Sequence, residues 1–298
     1  MPRNLQRRLH APSLASGASG AFSVRSSQYN WAVEVFVLGS GSSGNCLVVE
    51  AEGERLLVDA GMGPTRATKR MRGLGADLVT TRPPLGLLVT HDHGDHAAHA
   101  LPLARALRTP IIAHGGVAIE RARTRVDVRS YVPGRALALG PFLIEAVSVP
   151  HDAPQVALRI SAGACRFAIA TDLGDPTRGL GPFLRGCDLV FLESNYCPSL
   201  LESGPYPLCL KRRVGGPLGH LANEQTADLA ASFEDSRVSR LVLVHLSRTN
   251  NTPGRAHEVV ASRVRRLAVE VLPNGEPRRF AVGRSLRETP GEQLGFGF

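Results

Sequence analysis

From Val33 onward, short apolar runs alternate with turn-forming and polar stretches. Val33–Leu38, Cys46–Glu50 and Arg55–Asp59 read as three strands, split by the Gly-rich turn Gly39–Asn45 and by Glu52-Gly53-Glu54. Pro64–Leu74 predicts a helix, with Pro64 in its first turn. Gly86–Thr90 is a buried strand that runs straight into His91. Ala97–Leu107 predicts a helix, Pro110–Ala113 a strand and Val117–Arg123 a further helix. The second half repeats the style, with strands at Phe142–Val149, Gln155–Ser161, Cys165–Ala170, Leu189–Glu193 and Leu241–Val244. Helices are predicted near Thr177–Leu184, at Glu224–Phe233 with Asn223 as N-cap, and at Arg255–Leu267; short strands close the pattern near Phe280. Two runs of strands with helices between them predict an α/β chain of two sheets packed face to face, helices outside.

Length and composition fit one globular domain, placed at residues 31–285, with a core of ordinary size. Residues 1–30 are rich in Ala, Ser, Gly and Arg without a sustained apolar period and are expected to be a mobile extension; 286–298 are expected to be a tail. Leu14–Val24 is too interrupted for a secretory signal, although an Arg- and Ser-rich, acid-free start also suits an organellar transit peptide. No apolar run approaches membrane-spanning length. Five cysteines without C-x-x-C spacing suit free thiols in a reducing cytoplasm.

The formal net charge is +9, and all basic residues except Lys69 and Lys211 are arginines. Guanidinium forks fit phosphate bidentately, so this surface suits a polyanionic partner. Part of the excess, however, sits in the acid-free N-terminal stretch at Arg3, Arg7, Arg8 and Arg25.

The chemistry concentrates at His91-Asp92-His93-Gly94-Asp95-His96, directly after an apolar strand. Three imidazoles and a carboxylate in so small a volume repel one another unless a cation joins them. One loop cannot supply two cations, but His151, Asp172 and His245 each follow another apolar strand and complete the set. Imidazole and carboxylate donors suit two divalent ions, zinc or manganese. His10, His99, His114 and His257 lack a strand-end setting and are expected to be ordinary residues.

His-x-His-x-Asp-His followed by a strand-end His, Asp and His resembles the metallo-β-lactamase superfamily, a fold of αββα sandwich type. The resemblance implies one metal on His91, His93 and His151, a second on Asp95, His96 and His245, and Asp172 bridging them. It further implies a metal-bridging hydroxide as nucleophile and Asp59 as an orienting group behind the ligands. Secreted lactamases and glyoxalase-like thioesterases fit less well. The bridging Asp172 departs from the lactamase site, and the third motif reads Val149-Pro150-His151-Asp152-Ala153-Pro154 rather than Pro-Gly-His-Thr.

More specifically, Phe36–Asn45, His151-Asp152-Ala153, Leu192-Glu193-Ser194-Asn195, Gly219–Glu224 and His245–Asn251 resemble the YycJ/WalJ-like bacterial proteins. That resemblance implies a cytoplasmic 5′-to-3′ exonuclease acting on DNA more than on RNA. A small-molecule hydrolase of a phosphodiester, thioester or lactone is the alternative. RNA-processing relatives insert a large domain between the bridging Asp and the last His. Here Asp172 and His245 are too close in sequence for one, so nucleic acid would need an open groove, and a homodimer is one way to complete it.

Within this frame Asp95 and His220 are the candidate catalytic groups, His220 for leaving-group protonation or phosphate binding. Ser40, Ser42, Asn45 and Arg248 are candidate phosphate contacts, because a Gly- and Ser-rich turn lets backbone N–H groups approach an anion; a tight hairpin turn explains the same composition. Lys211-Arg212-Arg213 is a candidate basic contact, although such a run is more often a solvated helix face.

Overall fold

The computed structural model describes residues 33–119 and 125–283. The expected N-terminal extension and C-terminal tail lie outside the described residues. The first sheet takes β1 (Val33–Gly39), β2 (Cys46–Ala51), β3 (Glu54–Val58), β4 (Gly86–Val89), β5 (Ile111–His114) and β6 (Val128–Tyr131) in that order. The second runs from β7 (Leu137–Leu139) through β8 (Phe142–Val149), β9 (Gln155–Ala162), β10 (Cys165–Ala170), β11 (Leu189–Glu193) and β12 (Arg240–Val244) to β13 (Ala268–Val271). The last strand, β14 (Arg278–Val282), returns to the first sheet and pairs antiparallel with β1.

The central strands are near-continuous apolar runs because both faces of each sheet are covered. On β1, Val33, Val35 and Val37 point between the sheets, where they join Phe142, Ile144, Leu158, Phe167, Phe191 and Phe280. Phe36 and Leu38, one residue out of step, face the opposite layer with Leu57, Leu87 and Ile111. That outer layer is built from α1 (Pro64–Gly73) and α3 (Ala100–Leu107), which contribute Ala67, Met71, Leu103 and Leu107. The second sheet's outer face packs Ala168, Val190, Leu192 and Leu243 against α4 (Leu180–Leu184), α7 (Asn223–Ala231) and α8 (Pro253–Arg263). The result is the four-layer αββα arrangement.

Several boundaries differ from expectation. The helix expected over Ala97–Leu107 is two pieces, α2 (Gly94–Ala97) and α3, because His99 leaves helical geometry at φ −111°, ψ 15°. Val117–Ile119 is not helical, and the rest of the helix expected there lies outside the described residues. Asn223 is the first residue of α7 rather than its cap. Its side chain is buried, accepting from the Ser194 hydroxyl and donating to Asn251, while Gln225 Oε1 accepts from the Ala222 N–H. The chain also forms β6, β7 and α5 (Pro198–Ser203), none of them foreseen, and the Lys211–Arg213 run lies on the solvated helix α6 (Leu208–Val214).

Strand direction positions the site. β3, β4 and β5 are parallel, and β1 shares their direction through two antiparallel steps. β10, β11 and β12 are parallel, and β8 shares theirs through β9. With β6 parallel to β5 and β13 parallel to β12, five C-terminal ends of each sheet therefore open at one edge, where ligand sites of α/β sheets lie.

Candidate metal centre

Each candidate ligand or orienting group leaves the end of one of those strands. Asp59 follows β3, the His91–His96 loop follows β4, His151 follows β8, Asp172 follows β10, Glu193 ends β11 and His245 follows β12. Asp59, Asp172 and His245 all adopt left-handed backbone, with φ of 60°, 56° and 57°. Such conformations cost a non-glycine residue stability and persist where the surroundings enforce them, commonly at functional sites.

The side chains converge as two donor sets. His91, His93 and His151 can place one ligand atom each within 4.8 Å of one another, and so can Asp95, His96 and His245. Asp172 lies between, with Oδ2 3.0 Å from His96 Nε2 and Oδ1 3.6 Å from His245 Nε2 and 4.0 Å from His151 Nε2. His91 Nε2 and His245 Nε2 are buried without a hydrogen-bond partner. Leaving such atoms unanswered costs about 1–3 kcal/mol each, so the donor set fits divalent metal.

The opposite ring nitrogens are fixed, as metal-ligating histidines require. His96 Nδ1 is 2.7 Å from Asp59 Oδ2, and Asp59 Oδ1 accepts from the N–H and the hydroxyl of Thr90. His151 Nδ1 donates to the Gly219 carbonyl. His245 Nδ1 and His220 Nδ1 both lie 2.8 Å from Glu193 Oε1, while Glu193 Oε2 accepts from the Leu173 N–H. His93 turns the other way: its Nε2 is 3.3 Å from Asp152 Oδ1 and its Nδ1 faces His151 Nε2. Glu193 and Asp152 were given no role by the sequence, although Glu193 shares the strand-end setting that marked the ligands. His114, expected to be ordinary, ends β5 and is buried; its Nε2 donates to the Thr90 carbonyl.

Electrostatics separates the histidines. Burial holds His91 down to about 2, so its ring is neutral. Burial also presses on His96, but Asp172 and Asp59 on either side outweigh it and raise His96 to about 10. The same balance, with Asp172 and Glu193, raises His245. These protons occupy the place of positive charge that a divalent cation supplies.

His220 joins the cluster, its ring centroid 5.5 Å from His151 and 5.6 Å from His245. Both His220 and Asp95 line a cleft of about 290 Å³ over the donor sets. Of the candidate phosphate contacts, Ser42 lines the cleft, and Arg248 is exposed nearby with Nη2 3.3 Å from Ser43 Oγ. Ser40 and Asn45 face inward instead. The Ser40 hydroxyl is buried and accepts from the His245 N–H, and Asn45 is buried with Nδ2 2.7 Å from His96 Nε2. Arg213 is likewise committed, its Nε 2.6 Å from Asp152 Oδ2, and the Lys211 ammonium donates to the Glu202 carbonyl. The Asp172–His245 span holds α4, β11, α5, α6, α7 and β12. No helix among the described residues is long and apolar enough to cross a membrane.

Comparison with known proteins agrees with this architecture. Residues 54–246 match the family described as the beta-lactamase superfamily domain. The chain is 31% identical to the exodeoxyribonuclease WalJ of Streptococcus pneumoniae, over 76% of this chain and 87% of that protein. It is 30% identical to the exodeoxyribonuclease YycJ of Bacillus anthracis, over 72% and 83%. The metallo-β-lactamase fold protein YhfI of Bacillus subtilis superposes with a TM-score of 0.66 at 19% identity, covering 84% of this chain and all of that one. Sharing this fold and its strand-end cluster of His and Asp, the chain belongs to the beta-lactamase superfamily, as a metal-dependent hydrolase of the metallo-β-lactamase fold.

Proposed function

We propose that the protein is a phosphodiesterase acting as a 5′-to-3′ exonuclease on DNA, with two divalent cations, zinc or manganese. The observation that carries the chemistry is the pair of donor sets with Asp172 between them. Cations so placed, when bound, supply Lewis acidity to the phosphoryl group and to the water that attacks it. The substrate class is supported by the likeness to WalJ and YycJ, both named exodeoxyribonucleases.

In this reading His91, His93 and His151 hold one cation, Asp95, His96 and His245 the other. Asp59, Asp152 and Glu193 orient the imidazoles from behind. Asp95, at the cleft surface with its Oδ2 3.5 Å from His245 Nε2, is a catalytic carboxylate as well as a ligand. His220 keeps one nitrogen on Glu193, which leaves Nε2 to protonate the departing oxygen or to bind phosphate. A small-molecule hydrolase remains the rival, and the half-buried Tyr206, Leu210 and Val214 on the cleft wall are the feature that favours it.

The test is turnover by the metal-loaded protein on a 5′-phosphorylated DNA duplex and on a generic small phosphodiester. Release of mononucleotides from the 5′ end is expected. Hydrolysis of the small ester with an intact duplex would transfer the site to the rival reading.

A further inference from the structure

The cleft has two unlike rims. On one stand Tyr206, Leu210 and Val214, with Arg213 held by Asp152. The other is the Gly39–Asn45 loop, whose Ser42 lines the cleft. Behind this loop three arginines gather from α1 and from the turn after β12, two of them on its next residue, Ser43. Arg66 Nη1 donates to the Ser43 carbonyl at 3.0 Å, and Arg248 Nη2 donates to Ser43 Oγ at 3.3 Å. Arg70 is fixed by two carbonyls, those of Leu38 at 2.6 Å and Gly275 at 2.9 Å. A Cβ at Gly275 would meet Arg248 Nη2 at 3.4 Å and Arg70 Nη2 at 3.7 Å, so these two guanidiniums are neighbours.

Among the described residues no carboxylate lies within ion-pairing distance of any of the three. Glu276, beside Gly275, pairs instead with Arg278. Burial, and then the like charge of Arg66 and Arg248, lowers Arg70 from its ordinary pKa. Elsewhere the chain pairs its arginines with acids readily, as at Arg159–Glu145, Arg237–Asp188 and Arg240–Glu270. Like charges collected without a counter-ion repel, and the concave potential they create is complementary to an anion. Guanidinium groups bind phosphate through paired N–H donors, and Ser43 adds a hydroxyl between two of them.

We propose that Arg66, Arg70 and Arg248, gathered behind the Ser43 loop, form a phosphate-anchoring subsite that holds a backbone phosphate of the nucleic-acid strand beside the metal cleft. This rests on the nuclease reading and adds how the strand is held. Arg70 supplies fixed charge, while Arg66 and Arg248, both exposed, turn their free N–H groups to the phosphate.

The experiment measures binding of a short single-stranded oligonucleotide with phosphorothioate linkages, which keep their charge and resist cleavage, to the metal-loaded protein over a range of salt concentrations. Wild type is compared with the double variants Arg66→Ala/Arg248→Ala and Arg66→Lys/Arg248→Lys, with an unchanged melting transition as the check on folding. The alanine variant is expected to bind about tenfold more weakly at low salt, with the slope of log K against log salt flatter by about 0.7 for each phosphate no longer neutralised. The lysine variant keeps the charge and is expected to recover the wild-type slope. An alanine variant with wild-type affinity and slope overturns the anchor while leaving the nuclease reading intact. Wild-type protein without salt-dependent oligonucleotide binding overturns both.

Discussion

An imidazole presents a fixed nitrogen to a cation only when its other nitrogen is engaged, and in this site a single buried carboxylate engages two rings. Glu193 Oε1 meets the Nδ1 atoms of His245 and His220, and its Oε2 receives the Leu173 N–H. All of these partners are donors, so every acceptor position of the carboxylate is used. Glu193→Gln would turn an NH2 group either on both rings at the Oε1 position, freeing them to rotate, or on the Leu173 N–H at the Oε2 position, displacing the side chain that holds them. Metal affinity is expected to fall about 10–100-fold, read by titration with a competing chelator, and Glu193→Asp is expected to recover part of it. Full affinity in the glutamine variant would show that the rings are held by packing alone. Asp152 plays a similar part for His93, and Arg213 balances the charge of Asp152. Arg213, one of the three basic residues that the sequence offered to a substrate phosphate, is thus paired with an acid on the cleft wall.

At the level of elements, the site depends on three loops stitched together by backbone. The Asn45 N–H donates to the Asp95 carbonyl at 2.7 Å, the Gly61 N–H to the Asn45 carbonyl at 2.9 Å, and the Ala60 N–H to the His96 carbonyl at 2.6 Å. Gly61 stands where they meet: a Cβ there would lie 1.8 Å from the Asp95 carbonyl oxygen and 2.7 Å from the Asn45 nitrogen. Gly61→Ala is therefore expected to lower stability by about 1–3 kcal/mol and to weaken metal binding with it, because the atom that must move carries Asp95. Gly94, exposed in the same ligand loop, has open space at its Cβ, and Gly94→Ala is expected to stay within about 0.5 kcal/mol. Chemical denaturation of both variants checks the pair; equal stabilities would refute the backbone account. The ligand loops were legible in the sequence because each follows an apolar strand and carries a residue type that such strands otherwise exclude. Glu193 carried the same signal but read as the polar end of Leu189–Leu192. The unforeseen elements carry little signal of burial beyond Tyr131 on β6 and Leu201 on α5. α6 buries no side chain, and β6 and β7 are short strands with exposed positions. His99 breaks the expected helix by a local backbone turn that periodicity does not register.

Across the whole molecule, the donor sets join two sheets that also share the apolar layer between them. His91, His93, Asp95 and His96 come from the first sheet, while His151, Asp172 and His245 come from the second. Each donor set therefore draws on both sheets, and Asp172 reaches into both sets. Without cations the buried carboxylates are balanced by protons on His96 and His245, and His91 Nε2 stays unanswered. Each cation that binds only the folded chain then stabilises it by about 2.7 kcal/mol at a free concentration 100 times Kd. For a domain of this size that corresponds to a rise in Tm of roughly 5–10 °C. Zinc or manganese added to chelator-treated protein is expected to produce that rise, reversed by chelator and diminished at low pH, where protons compete for the ligand nitrogens. Asp172→Ala removes the one carboxylate shared by both sets and is expected to lose most of the shift, with metal content by elemental analysis falling in parallel. His93→Ala and His151→Ala each remove one of three imidazoles from the same donor set, from opposite sheets, and are expected to lose a similar part of the shift, since each leaves that cation one ligand short. A wild-type Tm indifferent to metal, or a full shift in Asp172→Ala, would show that the cluster is not joined by a shared cation pair.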